Sequence, residues 1–103
     1  GMGPDGHICS LFPGHPLLQE KSKLVASLTD SPKPPPSRVT LTFAALEKAR
    51  ALWFLVMGGN KADAVNSALT DPASPLPAAI ATRSHANPTW LLDGAAAGLL
   101  KSG

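Results

Sequence analysis

The stretch Ala51-Leu52-Trp53-Phe54-Leu55-Val56-Met57-Gly58-Gly59-Asn60-Lys61 decides the fold. Seven residues from Ala51 to Met57 are apolar without alternation. Such a run predicts a strand buried on both faces, as in a parallel sheet. Gly58-Gly59 ends it, Asn60 can cap the next segment, and a helix is expected over residues 61–69. Ala62, Val65, Ala68 and Leu69 give that helix one apolar stripe. A strand running through a tight glycine turn into a helix is the unit of a layered α/β domain.

Working outward, the same alternation of elements recurs. Residues 24–28 read as a short strand, and Arg38-Val39-Thr40-Leu41-Thr42 as a second, β-branched one. Good helix formers follow over residues 43–50. One or two helical turns are expected over residues 76–81, a strand with Trp90 partly buried over 89–92, and an alanine-rich helix capped by Asp93 over 94–101. The order predicts part of a doubly wound, mostly parallel sheet flanked by helices. Between the first two strands lies Asp30-Ser31-Pro32-Lys33-Pro34-Pro35-Pro36-Ser37, a stiff loop biased to polyproline II. Its Pro32 to Pro35 spacing matches a ligand for a proline-recognition domain, but it also suits a rigid connector inside a domain.

The totals narrow the functional classes. The 103 residues suit one small domain or a piece of a larger one. Nine basic and seven acidic residues leave a net charge of +2, and no basic run marks a nucleic-acid or membrane surface. No apolar stretch approaches the roughly 20 residues of a membrane helix. The single cysteine, Cys9, excludes an internal disulfide and suits a reducing compartment.

The chemistry concentrates at the start, in Gly1-Met2-Gly3-Pro4-Asp5-Gly6-His7-Ile8-Cys9-Ser10-Leu11-Phe12-Pro13-Gly14. Three glycines and a proline in six residues forbid a regular helix or strand there. A helical turn is expected over residues 8–12. His7 can exchange a proton near neutral pH, and Asp5 can orient its ring. The alternative is a loop aspartate bonding nearby N–H groups and a histidine packed at a helix start. Cys9 reads as a packing residue. His7, Cys9 and His15 are zinc-ligand types, but their intervals do not fit a structural zinc finger, so no metal is assigned. Gly58-Gly59-Asn60-Lys61 has the generic form of a phosphate-binding turn, although it is neither a Walker A loop nor a dinucleotide fingerprint.

The opening residues resemble the GxGxDGHxxSLFP signature of the 6-phosphogluconolactonases. The resemblance continues through Ser31-Pro32-Lys33-Pro34-Pro35-Pro36, Arg38-Val39-Thr40-Leu41-Thr42, Gly58-Gly59-Asn60-Lys61-Ala62, Pro75-Leu76-Pro77-Ala78 and Trp90-Leu91-Leu92-Asp93. The related glucosamine-6-phosphate deaminases share the DGH core but carry an Asn-Glu-Pro segment where this chain has Ser10-Leu11-Phe12-Pro13. The resemblance implies hydrolysis of 6-phosphoglucono-δ-lactone to 6-phosphogluconate without an organic cofactor. It implies a sheet shared with the sugar-phosphate isomerases, with His7 handling the proton of the attacking water and Asp5 beside it.

Lactone hydrolysis also needs an oxyanion site and fixed positive charge for the phosphate. The amides of the glycine loop, at Gly3 and Gly6, are the expected oxyanion donors. Arg38 and Lys61, with Lys33 behind them, are the expected phosphate ligands. The family pattern also includes an N-terminal half with a further phosphate loop and an acid–arginine segment. Residues 1–103 therefore read as the C-terminal portion of one lactonase domain, expected to be inactive or barely active and poorly folded by itself. The alternative is a truncated, non-catalytic product with at most weak sugar-phosphate binding. The partner expected is a small sugar-phosphate lactone, with no oligomeric state assigned.

Overall fold

The computed structural model describes residues 1–100. Four strands and three α-helices follow one another as β1 (Val25–Leu28), β2 (Arg38–Leu41), α1 (Phe43–Lys48), β3 (Leu52–Val56), α2 (Ala62–Thr70), α3 (Pro77–Ser84) and β4 (Pro88–Leu92). β3 and β4 pair in parallel, with Phe54 opposite Trp90 and Val56 opposite Leu92. A parallel pair needs a long crossover, and α2 and α3 supply it. This is the α/β unit expected from the run at residues 51–61. β1 and β2 form a separate antiparallel ribbon around the proline loop, with Ala26 opposite Thr40.

The core lies between the β3–β4 pair and the helices. Phe54 and Val56 point into it and meet Val65 of α2, Ala78 and Ala81 of α3, and Leu11. Phe54 stacks on Trp90 with ring centroids 4.3 Å apart, while the half-buried Trp90 donates from Nε1 to Thr82 Oγ1. Pro77 opens α3, where its fixed φ suits the first turn and its missing N–H is not needed. The alanines of α3 then let it pack closely on α1 and α2.

Several sequence expectations change. β3 is buried on one face only: Trp53, Leu55 and Met57 are exposed at 67%, 57% and 62%. No element among the described residues covers that face, so a run without alternation in sequence alternates in burial. Residues 8–12 form no helical turn. Ile8 and Leu11 make an isolated bridge, and the intervening Cys9 turns with φ of 52° and is exposed rather than packed. The chain then takes a 3-10 turn at Pro16–Gln19, capped by His15.

Asn60 makes no cap bond. It falls inside a second 3-10 turn, Gly59–Lys61, that precedes α2. The expected final helix is a series of turns over residues 94–100, closed by bonds such as Ala97 N to Asp93 O; Lys101 lies outside the described residues. Gly94 and Gly98 explain this, because each glycine costs a helix interior about 1 kcal/mol relative to alanine.

Candidate active site

The opening loop is a closed turn. Gly3 N donates to His7 O and Gly6 N donates to Gly3 O, both at 2.9 Å. Gly6 adopts φ of 83°, and its carbonyl accepts from Ala78 N in the first turn of α3. A Cβ at Gly6 would meet Leu76 at 2.9 Å, so the loop rests directly on the start of α3. Glycine is required there for both the backbone angle and the space.

This turn brings Asp5 and His7 together. Asp5 Oδ1 lies 2.6 Å from His7 Nδ1 and also accepts from the His7 amide at 3.1 Å. Partial burial of Asp5 raises its pKa, but the two bonds from His7 and the nearby charges of His7 and Lys33 outweigh it and hold the carboxyl below its ordinary value. An ionised Asp5 only accepts, so the proton of the neutral imidazole belongs on Nδ1. Nε2 then carries the lone pair, and no protein partner among the described residues engages it. The His7 side chain keeps 18% of its exposure, enough for a small reactant to reach it.

The aromatic neighbour was not singled out by the sequence reading. Phe12, 1% exposed, sits with its ring centroid 4.6 Å from that of His7. Arg38 lies over the same Phe12 ring, with Cζ 5.4 Å from the centroid. Spacing alone gave no signal for this contact; the Ser10-Leu11-Phe12-Pro13 segment entered only through the resemblance.

The expected anion ligands differ in availability. Arg38 donates to the carbonyls of Lys33, Pro34 and Pro35 and, from Nη1, to Ser10 Oγ at 3.4 Å. Four of the five guanidinium N–H groups are thus engaged, leaving one on Nη1. Lys61 Nζ donates to the Met2 carbonyl and braces the glycine turn from the start of α2. Lys33 is exposed on the proline loop, close enough to Asp5 to lower its pKa, and its ammonium has no hydrogen-bond partner among the described residues. The Gly3 and Gly6 amides, expected to face an oxyanion, are both engaged inside the turn.

Two rival readings lose ground. His15 Nε2 lies 2.8 Å from Asp30 Oδ1, but its Nδ1 accepts from Leu17 N, so neither ring nitrogen is left for chemistry. His7, Cys9 and His15 form no metal-ligating group among the described residues. The residues of the Pro32 to Pro35 spacing belong to a loop whose carbonyls Arg38 holds, which is the connector role. No helix among the described residues is long and apolar enough to cross a membrane.

A parallel β-α-α-β unit, with a glycine turn that pairs an aspartate with a histidine, places the chain among the layered α/β proteins. The chain belongs to the glucosamine-6-phosphate isomerase/6-phosphogluconolactonase family, whose pattern matches residues 1–90. Within it, the curated relatives this chain resembles are named 6-phosphogluconolactonase. Those from Rattus norvegicus and Homo sapiens are each 54% identical over 97% of this chain. The one from Mycobacterium tuberculosis is 51% identical over 99% of it. The chain spans 39% of the rat and human relatives and 41% of the mycobacterial one. The solved 6-phosphogluconolactonase of Trypanosoma brucei superposes with a TM-score of 0.82 at 33% identity, over 97% of this chain and 40% of that one.

Proposed function

We propose that residues 1–103 are the C-terminal portion of a single 6-phosphogluconolactonase domain of the cytoplasm. The reaction is hydrolysis of 6-phospho-D-glucono-1,5-lactone to 6-phosphogluconate. The observation that carries this reading is the 2.6 Å Asp5–His7 contact, which leaves Nε2 as the basic nitrogen.

In this mechanism His7 Nε2 takes a proton from water as the oxygen attacks the lactone carbonyl. The carbonyl π electrons move onto oxygen and give a tetrahedral oxyanion. Collapse restores the carbonyl and breaks the bond to the ring oxygen, which takes the proton back from Nε2. The ring-opened acid and an unchanged histidine result. Asp5 stabilises the imidazolium formed between the two transfers. Lys33 leads the phosphate ligands, with the remaining Nη1 N–H of Arg38 beside it, because a phosphate prefers donors that need not first abandon a protein carbonyl. Lys61 acts by holding the Met2 carbonyl. The oxyanion donors are other than the Gly3 and Gly6 amides.

The test is a chimera in which this chain replaces the matched segment of the rat relative. It should hydrolyse the lactone, and His7→Ala in it should lower kcat by about 10²–10⁴-fold with the fold retained. A folded chimera without lactonase activity, or a His7→Ala chimera with near-normal turnover, overturns the proposal.

A further inference from the structure

Phe12 touches both His7 and Arg38. Its ring meets the His7 imidazole at 4.6 Å with a 35° tilt, within the range of an offset aromatic contact. It also carries the Arg38 guanidinium, at a distance typical of a cation over an aromatic face. Arg38 in turn holds the carbonyls of Lys33, Pro34 and Pro35, and so fixes the loop that presents Lys33. Ser10 reinforces this arrangement: its hydroxyl accepts from Arg38, and its amide donates to Thr40 Oγ1 in β2 at 2.9 Å.

The imidazole has little else to hold it. One hydrogen bond, from Nδ1 to Asp5, sets the ring torsion about Cβ–Cγ, and it holds only as firmly as the Asp5 side chain, which is itself one-third exposed on the loop. Terminal torsions of this kind are broad. The Gly3 backbone limits the swing at one place, since a Cβ there would lie 2.3 Å from His7 Cε1 and Nδ1. Phe12 supplies the other large contact, and it is itself packed in the interior at 1% exposure.

We infer that Phe12 is a positioning residue, holding the His7 imidazole in line with Asp5 and tying it through Arg38 to the proline loop. The inference rests on His7 being the base of the proposed reaction. It concerns geometry, however, and can fail while that reaction stands. An aliphatic side chain at position 12 would fill the core but would offer neither a flat face to the imidazole nor a π surface to the guanidinium.

The experiment follows the ring N–H resonance of His7 in the ¹⁵N-histidine-labelled chimera with the rat relative, assigned by its loss in Asp5→Asn. A proton shared between Nδ1 and a carboxylate in a fixed geometry gives a slowly exchanging, strongly downfield signal. The expected result is that Phe12→Leu loses this signal while its circular dichroism matches the parent. Phe12→Met, which fills the space with a flexible chain, is the second variant should the leucine variant not fold, and it should also lose the signal. Phe54→Leu is the structural control: Phe54 is equally a core aromatic at 3% exposure but does not touch His7, and this variant should keep the signal. Retention of the signal in the folded Phe12 variants overturns the inference. So does its loss in folded Phe54→Leu, or its absence from the parent. An inactive chimera with the signal intact would instead count against the lactonase reaction alone.

Discussion

Gly3 and His7 are in direct contact: a Cβ built on Gly3 would stand 2.3 Å from the imidazole Cε1 and Nδ1 and 2.8 Å from Asp5 Oδ1. The glycine at this position is therefore a space requirement set by the Asp5–His7 pair. Gly3→Ala should push the ring away from the carboxylate. Overpacking of this kind costs about 1–3 kcal/mol, and here it falls on the pair proposed to carry the reaction. The expected outcome is a lowered Tm by circular dichroism and loss of lactone hydrolysis in the chimera. An alanine variant with parental Tm and turnover would show that the turn relaxes without disturbing His7.

Asp5 gives a pH dependence with a definite sign. Its folded pKa lies below the ordinary value because the bonds from His7 outweigh the effect of burial. A group with a depressed folded pKa contributes stability that is present above its unfolded pKa. That contribution is lost as pH falls through the folded value. The chain should therefore lose stability on acidification below the ordinary carboxylate range of about 4. Asp5→Asn should flatten this part of the Tm-against-pH curve. A curve of the same shape in Asp5→Asn would remove Asp5 from the explanation.

What was legible in the sequence follows from how local the cause is. The β3 strand, the α2 helix and their parallel partner β4 were readable because an apolar run, a glycine pair and a helical stripe each act over a few residues. The glycine turn made the Asp5–His7 pair one of two open readings, because spacing brings the residues close without deciding whether the carboxylate meets the ring or nearby amides; the fold gives it both the His7 ring and the His7 amide. The single-faced burial of β3 was not readable, since burial depends on what packs above Trp53, Leu55 and Met57. The same holds for Arg38 and Lys61. Their charge marked them as anion ligands, but whether a cation is available depends on which carbonyls the fold brings to it. Only the structure places those of Lys33, Pro34, Pro35 and Met2 there.

That difference in availability makes the proposed phosphate ligands separable. Lys33→Ala in the chimera should raise KM for the lactone with kcat little changed, because in the proposed site its charge acts on the phosphate and not on the reacting carbonyl. Arg38→Lys should do more. It keeps one charge but cannot reproduce the fork that grips three carbonyls, so the proline loop and Lys33 shift together. Steady-state kinetics with both variants checks this. A larger KM effect from Lys33→Ala than from Arg38→Lys would show that Arg38 is not the residue that holds the loop.

Asp93 ties together the ends of the two parallel strands. Its carboxylate accepts from Gly58 N, just after β3, at 3.1 Å and from Ala96 N, in the turns after β4, at 2.8 Å. The amides of Ala96 and Gly58 stabilise the ionised form, so the carboxyl stays below its ordinary pKa. Gly58, with φ of 101°, aims its N–H at this carboxylate just before the 3-10 turn that carries Lys61 and its bond to the Met2 carbonyl. Asp93→Ala should therefore loosen a chain of contacts that leads from β4 through Gly58 and Lys61 to the glycine turn of His7. Amide hydrogen exchange reads each link: Gly58 and Ala96 should exchange faster first, and Gly3 and Gly6 should follow if Lys61 transmits the change. Unchanged exchange at Gly3 and Gly6, with faster exchange at Gly58 and Ala96, would place the brace on Met2 outside the control of Asp93.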